Sequence, residues 1–292
     1  QGQPRPRWWI ASYSALRLAA PDGDAPPHLA VPDTAQDDLL LEPAPTELDA
    51  AAWDAADNLH SADPDAQLDL WSATTSVNGT QSAHTFPKGS AAGTLLHDAL
   101  QWCAEQGWAP ALNNPQRLRD KVAQLCQTHG WDAWAGSATN WLTDLLQAPL
   151  PLPAPADHEA HPCLAQLSTC QAEMEFWLAV APASTQDLDR VVTQHTLGAA
   201  ARPPLQVDQL HGMLKGFIDL VFEHQGRYYV ADYKSNWLGE DDSHYTAARL
   251  QQAVLDARYD LQYSLYLLAL HRLLRQRLPG YDYDQHMGGA VY

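Results

Sequence analysis

Basic residues are scarce. Lysine and arginine number 17 against 35 acids in 292 residues, a formal charge of −18. That balance excludes a generic polyanion binder, so any nucleic-acid site must be a local or metal-loaded patch on an acidic body. Long apolar runs are missing too. No 18 consecutive apolar residues occur, and no basic segment precedes a short apolar one, so a membrane-spanning helix and a secretion signal are both excluded. The expected setting is cytoplasmic, with no membrane partner. Cysteine is confined to Cys103, Cys126, Cys163 and Cys170. None forms a CxxC pair, which argues against a zinc ribbon, and a chain of this size needs no disulfide framework. The four read as reduced structural thiols. The glycine-containing stretch 89–93 is not followed by Lys-Ser/Thr, so a nucleotide-driven motor is excluded. His158-Glu159-Ala160-His161 lacks HExxH spacing and sits in the Pro-rich stretch 149–161, where it reads as solvated. No internal repeat is visible.

The chain is 46% hydrophobic and 18% charged, enough apolar material for a sizeable core. The acids crowd the first quarter: residues 1–80 carry 13 acids and 3 bases, and residues 81–292 carry 22 and 14. Two regions follow, an acidic Ala/Pro/Asp-rich segment or tether over 1–80 and a folded domain over 81–292. Within the first, 8–18 reads as a short apolar segment with a serine cap before a helix. In the second, helices are expected over 94–107, 114–128, 137–146 (with Ser137 as N-cap), 186–195 and about 245–277, and a strand over 174–180. The last residues, 288–292, read as the opening of a strand cut short. With Gln1 in place of an initiating Met, the chain reads as a piece of something longer.

The most informative stretch is a hairpin. Two β-rich runs, 213–223 and 228–234, flank His224-Gln225-Gly226-Arg227. A two-residue and a four-residue loop give the same register, which sets Asp219 opposite Asp232. Directly opposed residues have Cβ atoms about 4.5–5.5 Å apart, and like charges there repel. Alternation puts Lys234 on the face of Asp232. Two opposed acids among Phe217, Val221, Val230 and Tyr233 call for a cation, and hard oxygen ligands suit Mg²⁺. A lysine beside them can steady developing negative charge, which points to metal-assisted hydrolysis of a phosphate ester.

These residues carry a resemblance. Gly216-Phe217-Ile218-Asp219 followed by Ala231-Asp232-Tyr233-Lys234 is similar to the D…(D/E)xK signature of the PD-(D/E)xK nuclease superfamily. The longer string MLKGFIDLVFEHQGRYYVADYKSNWLG (213–239) resembles the C-terminal nuclease domain of the RecB family. The stretches 86–97, 258–272 and 281–292 extend the likeness. It implies a restriction-endonuclease-like α/β core, a mixed central sheet flanked by helices. It also implies a Mg²⁺-dependent deoxyribonuclease, served by Mn²⁺ as well, with Ca²⁺ binding unproductively. Single-stranded and end-processed DNA, the subunits RecC and RecD, and RecA would be its partners in double-strand-break processing.

Residue by residue, the resemblance implies metal ligation by His97, Asp219, Asp232 and the backbone carbonyl of Tyr233, with Lys234 as the catalytic lysine. The family's upstream acid, in an ExxF setting, falls on Glu173, with Glu175 second; alternation sends both to one face and cannot separate them. Gln262 and Tyr266 match a QxxxY motif, and Arg258 extends that stripe one turn earlier. The three would hold the DNA backbone and orient the lysine. No cysteine follows Cys170, so the iron–sulfur cluster of related nucleases is not implied. Two other readings are a catalytically silent docking module for recombination proteins and a stand-alone nuclease of the same superfamily.

Overall fold

A computed structural model of the chain describes residues 9–12, 16, 81–152 and 161–292. Most of the expected tether over 1–80 and residues 153–160 of the Pro-rich stretch lie outside the described residues. In chain order the elements are β1 (Trp9–Ser12), α1 (Ser90–Gln106), α2 (Trp108–Asn113), α3 (Pro115–Thr128) and α4 (Ala135–Gln147). There follow β2 (Cys170–Ser184), α5 (Thr185–His195), β3 (Gln209–His224), β4 (Arg227–Ala231), α6 (Ala247–Asp256), α7 (Tyr259–Arg277), α8 (Tyr283–His286) and β5 (Met287–Val291). No described helix is long and apolar enough to cross a membrane.

The sheet is mixed, as expected. Its order is β1-β3-β4-β5, with β2 also on β3. β2 runs antiparallel along one edge of β3, while β1 (parallel) and β4 (antiparallel) share the other edge end to end. β5 lies parallel to β4, so the last residues do form a strand. Residues 9–12 of the expected apolar segment are a strand in this sheet, and the helix expected behind its serine cap lies outside the described residues. A four-residue strand is too short to betray itself by alternation; pairing with Gly212–Lys215 supplies the order.

The hairpin has the predicted register, pairing Leu220 with Ala231 and His224 with Arg227. Gln225 and Gly226 turn the chain with φ of 52° and 79°, the two positive values that a two-residue hairpin turn needs. β4 ends sooner than expected, at Ala231, so Lys234 lies beyond the strand. Helix α1 starts four residues before the expected 94, behind Gly89 with φ 99°. It buries Ala92, Leu95, Ala99, Leu100 and Cys103, a helical stripe facing the sheet. In α3, Asn114 caps by accepting the Arg117 N–H, and Pro115 occupies the first turn, where no N–H is needed. Helix α4 begins at Ala135, so Ser137 is not its cap; its hydroxyl instead donates to Gln81 at 2.6 Å.

Two cores result. Helices α1 to α4 pack Leu95, Cys103, Trp108, Val122 and Leu146 against Leu220, Phe222 and Tyr229. The other layer joins Leu261, Leu265 and Leu270 of α7 to Leu214, Ile218 and Val230. Even-numbered residues of β3 therefore serve different cores: Leu214 and Ile218 one, Leu220 and Phe222 the other. β2 does the same, with Phe176 and Met174 in one layer and Cys170 in the other. The pairing runs on through Ala172↔Leu220 and Met174↔Ile218, so both strands turn over together around Glu173 and Asp219. Glu173 has φ 47°, a left-handed value uncommon outside glycine. The cysteines are all free, and Cys103 and Cys126 are fully buried. Burial pushes the Cys103 thiol up to about 12, which makes it inert.

The single long helix expected over 245–277 is two helices, α6 and α7. Arg258 breaks it, with φ 58°. Its guanidinium is 1% exposed and contacts Asp189 at 2.8 Å, Asp260 at 3.1 Å and the Pro203 carbonyl at 2.7 Å. Arg202 reaches the same Asp260 at 2.7 Å. A buried guanidinium must have such partners, and the left-handed turn aims it at them.

Candidate active site

The strand turnover delivers two carboxylates to one place. Glu173 on β2 falls level with Asp219 on β3. Helix α1 brings His97 over the same spot, and ligand atoms of His97, Glu173 and Asp219 all lie within 4.8 Å of one another. Octahedral ligands about 2.1 Å from a Mg²⁺ ion stand about 3.0–4.2 Å apart, so modest contraction fits this set. Hard oxygens with one imidazole suit Mg²⁺ or Mn²⁺ better than soft metals.

The segment beyond β4 completes the group. The Tyr233 N–H donates to Asp219 Oδ2 at 2.7 Å. The Tyr233 carbonyl accepts from His97 Nε2 at 2.9 Å. A carbonyl can only accept, so Nε2 carries the hydrogen and Nδ1 faces Asp219 Oδ2 at 3.5 Å. The Tyr233 ring stands edge-on to the imidazole, 5.8 Å between centroids, and steadies it. Asp232, 2% exposed, meets the Lys234 ammonium through Oδ2. Its other oxygen accepts from Gln262 Nε2 at 3.2 Å, and the same amide donates to the Tyr266 hydroxyl at 2.9 Å.

Lys234 lies 4.4 Å from the centre of the Tyr259 ring and 5.7 Å from that of Tyr292. Burial works to lower its pKa, but the charges of Asp232 and Asp219 and the phenol of Tyr259 outweigh it, and the net shift is upward. The group stays an ammonium. Asp219 is pushed well above the ordinary 3.8, first by burial and then by the charge of Asp232, with Glu173 adding to it. The Tyr233 N–H and Lys234 oppose that rise without cancelling it.

Residues 73–292 match the PD-(D/E)XK nuclease superfamily model. The chain belongs to that superfamily. It is 44% identical over 217 residues to the RecBCD enzyme subunit RecB of Escherichia coli K12, covering 73% of this chain and 17% of that protein. It is 37% identical over 211 residues to the RecB subunit of Haemophilus influenzae, covering 70% and 16%. The chain thus spans about a sixth of the length of these curated relatives, over a RecB-like nuclease domain.

Against that superfamily's signature, the structure gathers His97, Asp219, the Tyr233 carbonyl, Asp232 and Lys234. It separates the two upstream acids, which alternation could not. The left-handed Glu173 turns into the site. Glu175 is exposed, with Lys215 at 2.9 Å and the Trp177 indole N–H at 3.1 Å. Phe176 anchors this stretch: its ring covers Gly216, where a Cβ would come within 2.7 Å, and meets Tyr266 edge-on. Three expectations are corrected. Arg258 is not on a DNA-facing stripe; its guanidinium is consumed in the buried ion network. Gln262 and Tyr266, 7% and 3% exposed, are buried and offer little surface to a DNA backbone, while the link from Gln262 through Asp232 to Lys234 fits the other expected part, orienting the lysine. Tyr259 and Tyr292 went unnoticed in the sequence. Tyr259 stands three residues before Gln262 on one helix face, a spacing that could have revealed it.

The raised Asp219 carboxyl has a measurable consequence. A carboxyl whose folded pKa is raised takes up its proton more readily when folded. Its contribution to metal-free stability is complete below about 3.8 and is lost as pH climbs from there through the raised value. The Asp219→Asn variant lacks this loss. Relative to wild type it should gain stability steadily across that window, measured by denaturant unfolding at a series of pH values in chelator. A stability difference that stays flat with pH would show that Asp219 titrates as an ordinary carboxylate.

Proposed function

We propose that this chain is a metal-dependent deoxyribonuclease that hydrolyses DNA phosphodiester bonds in the manner of the RecB nuclease domain, during double-strand-break processing and recombinational repair. The observation that carries the reading is the convergence of His97, Glu173 and Asp219 within 4.8 Å, beside a lysine held charged by Asp232. His97, Glu173 and Asp219 would hold the ion, with Asp232 and the Tyr233 carbonyl beside them. Once bound, a divalent ion supplies Lewis-acid polarisation of the phosphate and a more acidic water.

The chain's own residues do the rest. Lys234 presents a fixed positive charge to the negative charge that grows on the phosphate oxygens. Tyr259 and Tyr292 keep its ammonium in place, and Gln262 keeps Asp232 pointed at it. Mg²⁺ is the proposed physiological ion, with Mn²⁺ able to replace it. The names of the relatives support RecC and RecD as partners in a RecBCD-type assembly, and RecA loading and a cytoplasmic setting belong to the same proposal. A body carrying −18 has weak intrinsic DNA affinity, since non-specific binding is mostly phosphate neutralisation. Delivery of the strand by a motor would offset that.

The test is cleavage of labelled single-stranded DNA against metal concentration. Activity should appear with Mg²⁺ or Mn²⁺ and stay near background with Ca²⁺, although Ca²⁺ binds by calorimetry. Full activity of metal-free protein in excess chelator would overturn the proposal.

A further inference from the structure

Among the described residues two tryptophans are exposed, Trp177 at 47% and Trp237 at 43%. Both lie on segments that carry site residues. Trp177 is on β2, four positions beyond Glu173, or about 13 Å along an extended strand. Its neighbours Phe176 and Leu178 point into the α7-side core, so the indole faces the α1 side of the sheet. Trp237 follows Lys234 by three positions, and its indole N–H donates to the His84 carbonyl at 3.1 Å, just ahead of α1. β2 and the segment leaving β4 belong to opposite edges of β3, so the two indoles stand on segments that leave the strand of Asp219 on either side. Each carries a lysine against its ring. Lys88 Nζ lies 3.3 Å from the Trp237 ring centre, and Lys215 Nζ lies 5.0 Å from that of Trp177 and 5.3 Å from that of Phe217.

We propose that Trp177 and Trp237 are stacking platforms for the bases of single-stranded DNA, one on each side of the phosphate being cleaved. The proposal rests on the reading that DNA is the substrate. Unstacked bases present a π-face to an indole whatever their identity, and Lys88 beside Trp237 can meet a neighbouring phosphate. A paired duplex hides those faces, so the platforms favour single strands. Glu175 neutralises Lys215 and also accepts the Trp177 N–H, which holds the indole in place while leaving that patch uncharged. The grip there is by stacking, so its dependence on salt is shallow.

The experiment is Mg²⁺-dependent cleavage of a single-stranded oligonucleotide by the 292-residue chain and its variants. Trp177→Leu and Trp237→Leu keep bulk without an aromatic face. Each should raise KM by about tenfold, within the range for loss of one stacked base, with a smaller change in kcat. Trp177→Tyr and Trp237→Tyr should recover most of the loss, and melting curves of all four check the fold. An abasic oligonucleotide adds the decisive comparison: removing the base that stacks should raise the wild-type KM similarly and add little to the leucine variant's defect. Unchanged KM in both leucine variants overturns the platforms. So does a KM rise that tyrosine does not reverse, or one fully additive with base removal at every position. Absence of metal-dependent cleavage by wild type would instead overturn the nuclease reading itself.

Discussion

Replacing Lys234 by Gln is expected to lower the cleavage rate by about 10²-fold or more while divalent ions still bind. The ammonium is set between Asp232 and the faces of Tyr259 and Tyr292, and the charges of Asp232 and Asp219 push its pKa upward, which favours the charged form. Its contribution is charge placed where the phosphate gains negative charge, and loss of one such fixed group typically costs about 10²–10³-fold. Gln keeps much of the length and a donor N–H at its tip but none of the charge. A lysine is no metal ligand, so calorimetric titration should show nearly unchanged affinity. Single-turnover cleavage measures the rate. A variant retaining more than about a tenth of wild-type activity would show that the charge is dispensable and that the lysine serves only to hold Asp232.

Asp260→Ala should produce the largest loss of stability, about 3–5 kcal/mol, as is typical when one partner leaves a buried ion pair. Asp260 is fully buried and receives both Arg202 and Arg258. Removing it leaves Arg258 with Asp189 and the Pro203 carbonyl, and Arg202 with Thr196 and the carbonyls of Thr196 and Ala200. Arg258 then keeps one carboxylate, and Arg202, 1% exposed, is left with neutral partners only. Urea unfolding would measure the effect, read from the midpoint at constant slope. A loss below about 1 kcal/mol would mean that water reaches the vacated position and screens both cations. Asp189→Ala should cost less, because Asp189 is 18% exposed and Arg258 keeps Asp260.

Much of the hairpin was legible because its physics is local. Turn residues and alternation set the register that brought Asp219 towards Asp232, and the D…DxK spacing named the chemistry. His97 was legible only through the resemblance, since nothing in a helical histidine announces a carbonyl partner 136 positions away. The spacing to Phe176 favoured Glu173, but alternation could not tell it from Glu175, because alternation assumes a strand that keeps its faces. Here β2 and β3 exchange faces at the site, and a left-handed residue does not show in a hydrophobic pattern. The break at Arg258 was hidden for a similar reason. Residues 245–277 carry enough apolar positions for one helix, and the interruption is imposed by Asp189 and Pro203, which are remote in sequence. The burial of Gln262 and Tyr266 was not decided by the sequence, because an i, i+4 spacing gives a shared helix face and not what packs over it.

The parallel pairing of β1 with β3 has a consequence for how the activity comes into being. Residues 9–12 must find residues 212–215 across about 200 intervening positions, and His97 must likewise find Tyr233. Closing such loops is entropically costly before any contact rewards it, so long-range pairings of this kind assemble slowly. The helices α1 to α4 rest on local contacts and can form early, yet none of them alone contains more than one of the clustered ligands. On a growing chain, His97 is made before the hairpin and Glu173 before its partner Asp219, and Lys234 comes last of the four. The proposed metal site is therefore a late product of folding, and a partly made chain that ends after α1 to α4 holds His97 alone of these four residues.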